Sequence, residues 1–166
     1  MKVLVEDANV LLDLVNGDVL GLWLGAGFEN STTVLVWQEV SHTTQQQKVQ
    51  PFIDSGLLTI HDIPPTSWHA IAAFSVSAGV SISDASVWLL AKSEKATLLT
   101  GDSKLRSSAR VSGVEVRGIL WVLDELVAQG KLEPKAAAVA LNKMVEGGAF
   151  LPLEECRTRM DAWTLK

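Results

Sequence analysis

Four acidic side chains stand where hydrophobic runs end or helices begin: Asp7, Glu39, Asp84 and Asp102. Asp7 follows the apolar residues 3–5, and Asp102 closes the run 96–101. Both runs are typical of buried parallel strands, and open α/β sheets bind their ligands at the carboxyl ends of such strands. We therefore expect these carboxylates to lie close together at one edge of a sheet.

Each of these acids could also serve only its own helix. Aspartate is a favoured helix N-cap, where it contributes roughly 1 kcal/mol, and a carboxylate in the first turn complements the helix dipole. Carboxylates that only cap their own helices need not lie close together, whereas those of a functional site must. Neighbouring carboxylates raise one another's pKa unless a cation compensates for their charge. Mg²⁺ and Mn²⁺ prefer oxygen ligands of this kind, and Asn9 adds an amide oxygen near Asp7. The three histidines share no ligand spacing, which disfavours zinc.

The composition is that of one ordinary globular domain over residues 1–166. The 17.9 kDa chain is 48% hydrophobic and 20% charged, which suits a sheet covered on both faces. Its single cysteine, Cys156, excludes an internal disulfide framework and favours a reducing compartment. The sequence contains no secretory pattern and no apolar stretch of the length that a membrane helix needs. We therefore expect a cytoplasmic protein.

The net charge of −5 is not typical of a nucleic-acid-binding protein, because phosphate contacts usually require a basic surface. The distribution of charge is more informative than its total. Several basic side chains bracket two of the acids, so that the region around Asp84 and Asp102 is locally positive: Lys92, Lys95, Lys104, Arg106 and Arg110.

Strand-like and helix-like segments alternate along the chain. The patterns predict strands at residues 2–6, 33–36, 57–60, 96–100 and 114–116. They predict helices at 9–14, 19–28 (ending in glycines), 37–49 (stopped by Pro51), 67–78, 81–91, 103–111, 119–129, 134–146 and 152–163. This alternation predicts an α/β fold, a three-layer α/β/α sandwich with a mostly parallel, about five-stranded sheet and C-terminal helices over about 118–166.

Three strings of the sequence resemble the motifs of the PIN-domain family of metal-dependent nucleases: VLVEDANVLLDL, VWQEV and SISDASVWLLAKSEKATLLTGDSKLRSSA. The later strings GILWVLDELVAQGKLEP and LPLEE resemble one bacterial subgroup. The resemblance implies a small α/β/α nuclease that uses Mg²⁺ or Mn²⁺ to hydrolyse phosphodiester bonds, usually in RNA. Many members of the family are toxins of toxin-antitoxin modules, which implies an antitoxin protein as a partner.

The same resemblance implies roles for individual residues. The acidic metal ligands and catalytic residues would be Asp7, Glu39, Asp84 and Asp102, with Asn9 as an auxiliary ligand. Lys104 and Arg106 would hold a phosphate of the RNA, and Ser103 would bond a metal-bound water. The high apolar content of so small a domain also makes a homodimer plausible.

One residue departs from the family pattern. Glu6 stands directly before Asp7, where the family more often has a small or apolar residue. Alternation along a strand places it on the opposite side from Asp7, either paired with a cation or altering the charge of the site.

Two other readings of the acids remain open from the sequence. A haloacid-dehalogenase-like phosphatase also begins with an Asp after its first strand, but it needs a second Asp where this chain has Asn9. The other is a catalytically inactive PIN-like module that only binds a partner.

Overall fold

A parallel five-stranded sheet forms the centre of the computed structural model, which describes residues 2–165; the two end residues of the predicted 1–166 domain lie outside it. The strands follow the spatial order β3-β2-β1-β4-β5. Their bounds are β1 (Val3–Glu6), β2 (Glu29–Thr33), β3 (Leu58–His61), β4 (Thr97–Leu99) and β5 (Val116–Arg117). Leu4 and Val5 on β1 are both fully buried, so helices cover both faces of the sheet. The predicted α/β sandwich with its five-stranded parallel sheet is therefore confirmed.

Within residues 2–165, ten α-helices connect and cover the strands. They are α1 (Ala8–Asn16), α2 (Leu20–Leu24), α3 (Val34–Ser41), α4 (Gln46–Asp54), α5 (Trp68–Ala78), α6 (Ile82–Ser93), α7 (Ser103–Val111), α8 (Ile119–Ala128), α9 (Pro134–Glu146) and α10 (Leu153–Thr164). No single helix in residues 2–165 is both long and apolar enough to cross a membrane. Pro65–Ala78 and Ile82–Ser93 reach that length and apolarity only as a pair, which is bent by 116°.

The second strand was predicted in the wrong place. Residues 33–36 were expected to form it, but β2 is Glu29–Thr33 and the apolar residues 34–36 open α3. Thr33 ends the strand and caps the helix, because its hydroxyl accepts the Val36 N–H. A short apolar run does not by itself distinguish a strand from a buried helical turn, and here the capping threonine decides for the helix.

The helix predicted at residues 37–49 is also wrong, because the structure divides this region into α3 and α4 with a turn at residues 42–45 between them. Pro51 lies inside α4 and does not stop it. The proline ring removes one backbone N–H donor from the middle of this nine-residue helix, but the helix continues past it. The fifth strand, predicted at 114–116, begins two residues later and ends one residue later, at 116–117. The helices predicted at 103–111 and 134–146 have those same bounds.

The C-terminal helices are fastened to one another through charged and apolar contacts. Arg159 on α10 donates two hydrogen bonds from Nε and one from Nη2 to the Asp124 carboxylate on α8, the shortest at 2.7 Å. Trp163 and Cys156 on α10 are buried. A bidentate pair of this geometry fixes the orientation of α10 as well as its position.

Candidate active site

Two of the four acids follow neighbouring strands at the carboxyl edge of the sheet. The Asp7 N–H donates to the Leu99 carbonyl at 3.1 Å, and Glu6 stands opposite Leu99 in the register between β1 and β4. Asp102 comes three residues after Leu99, in the turn between β4 and α7. The strand order therefore brings the turns that carry Asp7 and Asp102 side by side.

The first turn of α6 reaches the same edge and carries Asp84. The hydroxyls of Ser86 on α6 and Thr33 at the end of β2 lie 2.7 Å apart, a hydrogen bond that ties the helix start to the strand end. Asp84 is close enough to Asp7 for its charge to raise the Asp7 pKa. Three of the four predicted acids thus stand around one edge of the sheet.

Asp7 is the most buried of these carboxylates, with 1% of its surface exposed. Its Oδ1 accepts the Val10 N–H at 2.8 Å and so caps α1, whereas its buried Oδ2 has no hydrogen-bond partner. Burial raises the pKa of Asp7 to about 7; the Thr100 hydroxyl and the Val10 N–H act to lower this pKa, and the charges of Asp84 and Asp13 act to raise it. A buried carboxylate oxygen without a partner is costly unless a proton or a cation neutralises it.

Asp84 and Asp102 also act as local helix caps. Asp102 Oδ1 accepts the Leu105 N–H at 2.7 Å and caps α7. Asp84 is not the N-cap of α6, since Ser81 is, but it completes a capping box by accepting the Ser81 N–H at 3.4 Å. In each carboxylate one oxygen accepts a hydrogen bond from a backbone N–H at the start of its own helix. The second oxygen is free to bind another ligand.

The remaining predicted residues other than Arg106 lie on the surface. Glu39, expected in the first turn of its helix, is in the second turn of α3 because that helix begins at Val34, and its side chain is exposed. Asn9, Ser103 and Lys104 are also exposed, each in the first turn of the helix that follows Asp7 or Asp102. Asn9, Ser103 and Lys104 thus flank the edge at which Asp7 and Asp102 stand, whereas Glu39 lies further along α3.

Within residues 2–165, no three Asp, Glu, His or Cys side chains are grouped closely enough to form a metal site as they stand. The donor set nevertheless fits a hard divalent cation. It consists of carboxylate oxygens, one of them buried and unpartnered on Asp7, next to a second acid that raises its pKa. Asp7 and Asp84 would hold such an ion, with Asp102 and Glu39 contributing directly or through water.

Two neighbouring residues were not identified from the sequence. Thr100 is fully buried, its hydroxyl oxygen accepts the Asp102 N–H at 3.1 Å, and the same hydroxyl lowers the pKa of Asp7, so it stands between the two acids. Asp13 on α1 has its pKa raised to about 6 by burial, and its charge reaches Asp7. The signal for Asp13 was a lone acid within the otherwise apolar helix segment VLLDLV.

Arg106, predicted to hold a phosphate, is engaged inside the protein. Its Nη2 donates to the Thr100 carbonyl at 3.0 Å, and its Nε is buried without a partner. The guanidinium also fills the space over Gly118, where an added Cβ would lie 2.8 Å from Nη2. Gly118 has extended backbone angles that any residue can adopt, so it is the movable guanidinium, not the backbone, that opposes a larger residue there. Arg106 thus braces the turn that carries Thr100 and Asp102.

This contact predicts an energetic coupling between two residues twelve positions apart. We expect Gly118→Ala to lower the free energy of unfolding by about 1 kcal/mol, because the methyl group displaces the guanidinium from its hydrogen bond to the Thr100 carbonyl. In an Arg106→Ala background the same change should cost little. Urea unfolding of the two single variants and the double variant measures this coupling. Gly101→Ala, in a position where nothing lies within 4 Å of the added Cβ, is the control; equal costs of Gly118→Ala in both backgrounds would contradict the assignment.

Glu6 does not form the cation pair considered from the sequence. It is fully buried, it takes part in no salt bridge among the described residues, and neither carboxylate oxygen has a hydrogen-bond partner. Burial raises the pKa of Glu6 well above its ordinary value, and the charge of Asp7 adds to the rise. The Trp23 indole lies near enough to act in the opposite direction, although its Nε1 also lacks a partner of hydrogen-bond geometry. The group is most stable in the protonated, neutral form.

Comparisons with known proteins assign this chain to a family. A family model described as a PIN domain (DUF3368) matches residues 3–164. PIN domains are generally nucleases and usually use divalent metal ions. No curated protein matches the chain. The crystal structure of PAE2754 from Pyrobaculum aerophilum is similar in fold, with a TM-score of 0.55 and 18% identity over 77% of this chain and 98% of that one. Because the family match spans nearly the whole sequence, it decides against the phosphatase alternative. The chain belongs to the PIN domain family.

Proposed function

We propose that the protein is a Mg²⁺- or Mn²⁺-dependent endoribonuclease that hydrolyses phosphodiester bonds of RNA in the cytoplasm, as the toxin of a toxin-antitoxin module. The observation that carries the proposal is Asp7, a buried carboxylate at the end of the central strand β1 with a free oxygen and a raised pKa. Such a group is poised to exchange a proton for a cation, and family membership supports metal-dependent nuclease chemistry.

The residues around Asp7 have distinct proposed roles. A divalent ion bound here would supply Lewis-acid activation of water and stabilise charge on the phosphate. Asp7 and Asp84 would hold it, and Asp102, Glu39 and Asn9 would contribute oxygen ligands directly or through water. Thr100 positions Asp102, whose N–H its hydroxyl oxygen accepts, and the same hydroxyl lies close enough to lower the pKa of Asp7. Lys104 and Ser103, exposed at the start of α7, are the proposed contacts for the RNA backbone, since Arg106 is turned inward.

The direct test is cleavage of labelled single-stranded RNA by the purified protein with Mn²⁺ or Mg²⁺, and with EDTA instead. We expect internal cleavage with the metal and none with EDTA. The absence of metal-dependent cleavage on a broad set of RNAs would contradict the nuclease proposal. The toxin proposal is tested separately, since inducing the wild-type protein in a bacterial host should arrest growth and co-expression of an adjacent short reading frame should restore it.

Metal affinity should depend on pH through the proton on Asp7. Because the cation must displace that proton, the affinity for Mn²⁺ should rise by up to about tenfold per pH unit below pH 7 and level off above it. Isothermal titration with MnCl₂ at pH 6, 7 and 8 measures this dependence. An affinity that does not change over this range would show that Asp7 is not a ligand.

A non-catalytic interaction module is the second candidate. It is favoured by one observation, that no three acidic or imidazole side chains within residues 2–165 are grouped as a metal site. This alternative predicts no saturable Mn²⁺ binding and no RNA cleavage at any pH, so the titration above separates it from the nuclease.

A further inference from the structure

We propose that the outer face of α7 is a track for the RNA strand, which runs from the edge that carries Asp102 to the opposite end of the helix. The α7 track begins with Lys92 on α6 added to the exposed residues of α7: Ser103, Lys104, Ser107, Arg110 and Val111. The proposal rests on the proposed nuclease function, because it gives the path of that enzyme's substrate.

The charge of this acidic protein is unevenly distributed along the chain. Residues 64–113, which include α5, α6, β4 and α7, contain five Lys or Arg and three Asp or Glu. Two of those three acids are the predicted metal ligands Asp84 and Asp102. The remaining residues contain nine Lys or Arg and 16 Asp or Glu. An RNA strand is therefore repelled by the rest of the molecule and attracted to the side of the sheet that α6 and α7 cover.

The cations of the α7 track are not neutralised by neighbouring acids. Within residues 2–165, Lys92, Lys104 and Arg110 take part in no salt bridge, whereas five other cations are paired with carboxylates. The sequence of α7, SKLRSSARV, contains no Asp or Glu. The positive charge of this surface is therefore available to the phosphates of a bound strand.

The α7 track starts at the candidate site and follows the helix axis. Lys104 comes two residues after Asp102, and Arg110 is six residues further, about 9 Å along the helix. The exposed hydroxyls of Ser103 and Ser107 add uncharged donors, which bind phosphate oxygens as cations do. The nine residues of α7 span about 13 Å. Because a stacked strand advances about 3.4 Å per nucleotide, the helix covers about four nucleotides.

Lys92 is held in place at the far end of the α7 track. Its Nζ lies 5.3 Å from the centroid of the Trp88 ring, and the side chain remains exposed. The Trp88 indole N–H donates to the hydroxyl of Ser112, directly after α7, at 2.7 Å, and the indole stacks on Phe74 with ring centroids 3.7 Å apart. A cation that already rests on a fixed ring loses less conformational freedom when a phosphate binds to it.

The position of the cations favours RNA over an acidic protein as the occupant. An acidic peptide would meet the same charges, but its binding would not require them to begin beside Asp102. A strand that has one phosphate at the metal edge must place the neighbouring phosphates close to that edge, and α7 presents Lys104 and Arg110 there.

Fluorescence anisotropy with labelled oligouridylates of increasing length tests the proposal, on the wild-type chain in EDTA, which prevents cleavage. The Kd should fall with length up to about five nucleotides and then stay constant. The double variant Lys92→Gln, Arg110→Gln should raise the Kd of the longer RNAs roughly tenfold. It should also reduce the slope of log affinity against log salt by about 1.4, since each lost contact with a single strand accounts for about 0.7. Lys135→Gln, at an exposed lysine on α9, is the control.

A second set of variants separates the charge of the α7 track from any effect on folding. Val111 is 91% exposed, so Val111→Glu should weaken RNA binding and leave the melting temperature unchanged, whereas Val139→Glu, at a 56% exposed valine on α9, should do neither. The double variant Lys92→Arg, Arg110→Lys keeps both charges and should keep the salt slope of the wild type.

The outcomes distinguish the α7 track from the nuclease proposal. RNA that binds the wild type and the double Gln variant equally would overturn the track, as would an affinity that does not depend on length, and a positive cleavage test would still stand. Loss of both RNA binding and metal-dependent cleavage in the wild type would overturn the track and the nuclease together. Binding of polyglutamate as tightly as RNA of the same charge would overturn the assignment to RNA and give this face to an acidic protein.

Discussion

Replacing Asp7 by Asn should abolish metal-dependent cleavage and at the same time make the protein more stable. The loss of activity should be at least about 100-fold, since removing even an outer-shell partner of a metal commonly costs 10–100-fold. Asparagine caps a helix as well as aspartate does, so α1 keeps the bond from the Val10 N–H. The amide removes the cost of a buried carboxylate that ionises only near pH 7.

The gain in stability should depend on pH in a defined direction. The folded pKa of Asp7, about 7, lies above its ordinary value of 3.8, so the wild type loses stability as pH rises from 3.8 to 7. The variant should therefore match the wild type near pH 4 and exceed it by on the order of 1–3 kcal/mol at pH 8 without metal. Urea unfolding at both pH values measures this. Asp161→Asn, at an exposed acid on α10, is the control; a variant that is inactive but also destabilised at pH 8 would mean that Asp7 is structural.

Replacing Glu6 by Gln should raise the free energy of unfolding without affecting the site chemistry. The wild-type protein must either bury a charge on β1 or keep a proton that neutral solution tends to remove. Glutamine has nearly the same shape and carries no charge, and its carbonyl can accept from the Trp23 indole N–H. We expect a stabilisation of about 1–3 kcal/mol at pH 8, the usual cost of a buried group without a partner.

The sign of the pH effect separates this explanation from simple repacking. Because the folded pKa of Glu6 is raised above its ordinary 4.5, the destabilisation of the wild type begins as pH rises past 4.5 and is complete only above the folded pKa. The advantage of Glu6→Gln should be small at pH 4.5 and grow towards pH 8. Glu133→Gln, at an exposed glutamate before α9, should show no such trend. An advantage that is constant with pH would contradict a protonated Glu6.

The sequence predicted the segments whose hydrophobic pattern and end signals agree. The run before Asp102 and the helix after it were predicted with nearly their observed bounds, because an apolar strand, a glycine turn and a capping aspartate occur in order. Asp7, Asp84 and Asp102 were found for the same reason, since each stands at such a boundary, whereas Glu39 lies in the second turn of α3. Whether they share a metal ion stays a prediction.

The error at β2 has a physical cause that lies outside local sequence. The strand ENSTT is polar, yet Asn30, Thr32 and Thr33 are at most 3% exposed. Distant partners satisfy the hydroxyls of its two threonines, which favours its place in the sheet. The Thr32 hydroxyl donates to the Glu6 carbonyl at 2.7 Å, and the Thr33 hydroxyl bonds to Ser86. No local pattern contains these partners, which are 26 and 53 residues away.

The sequence by itself determined which side chains could do chemistry and which apolar segments must be buried, because residue type and periodicity are local properties. Only the tertiary structure decided how these groups are used. It turned Arg106 inward onto Thr100, buried Glu6 without a partner, and left one oxygen of Asp7 free at the edge of the sheet. Burial and the proximity of distant residues set the charge state of a carboxylate, and both arise only when the chain has folded.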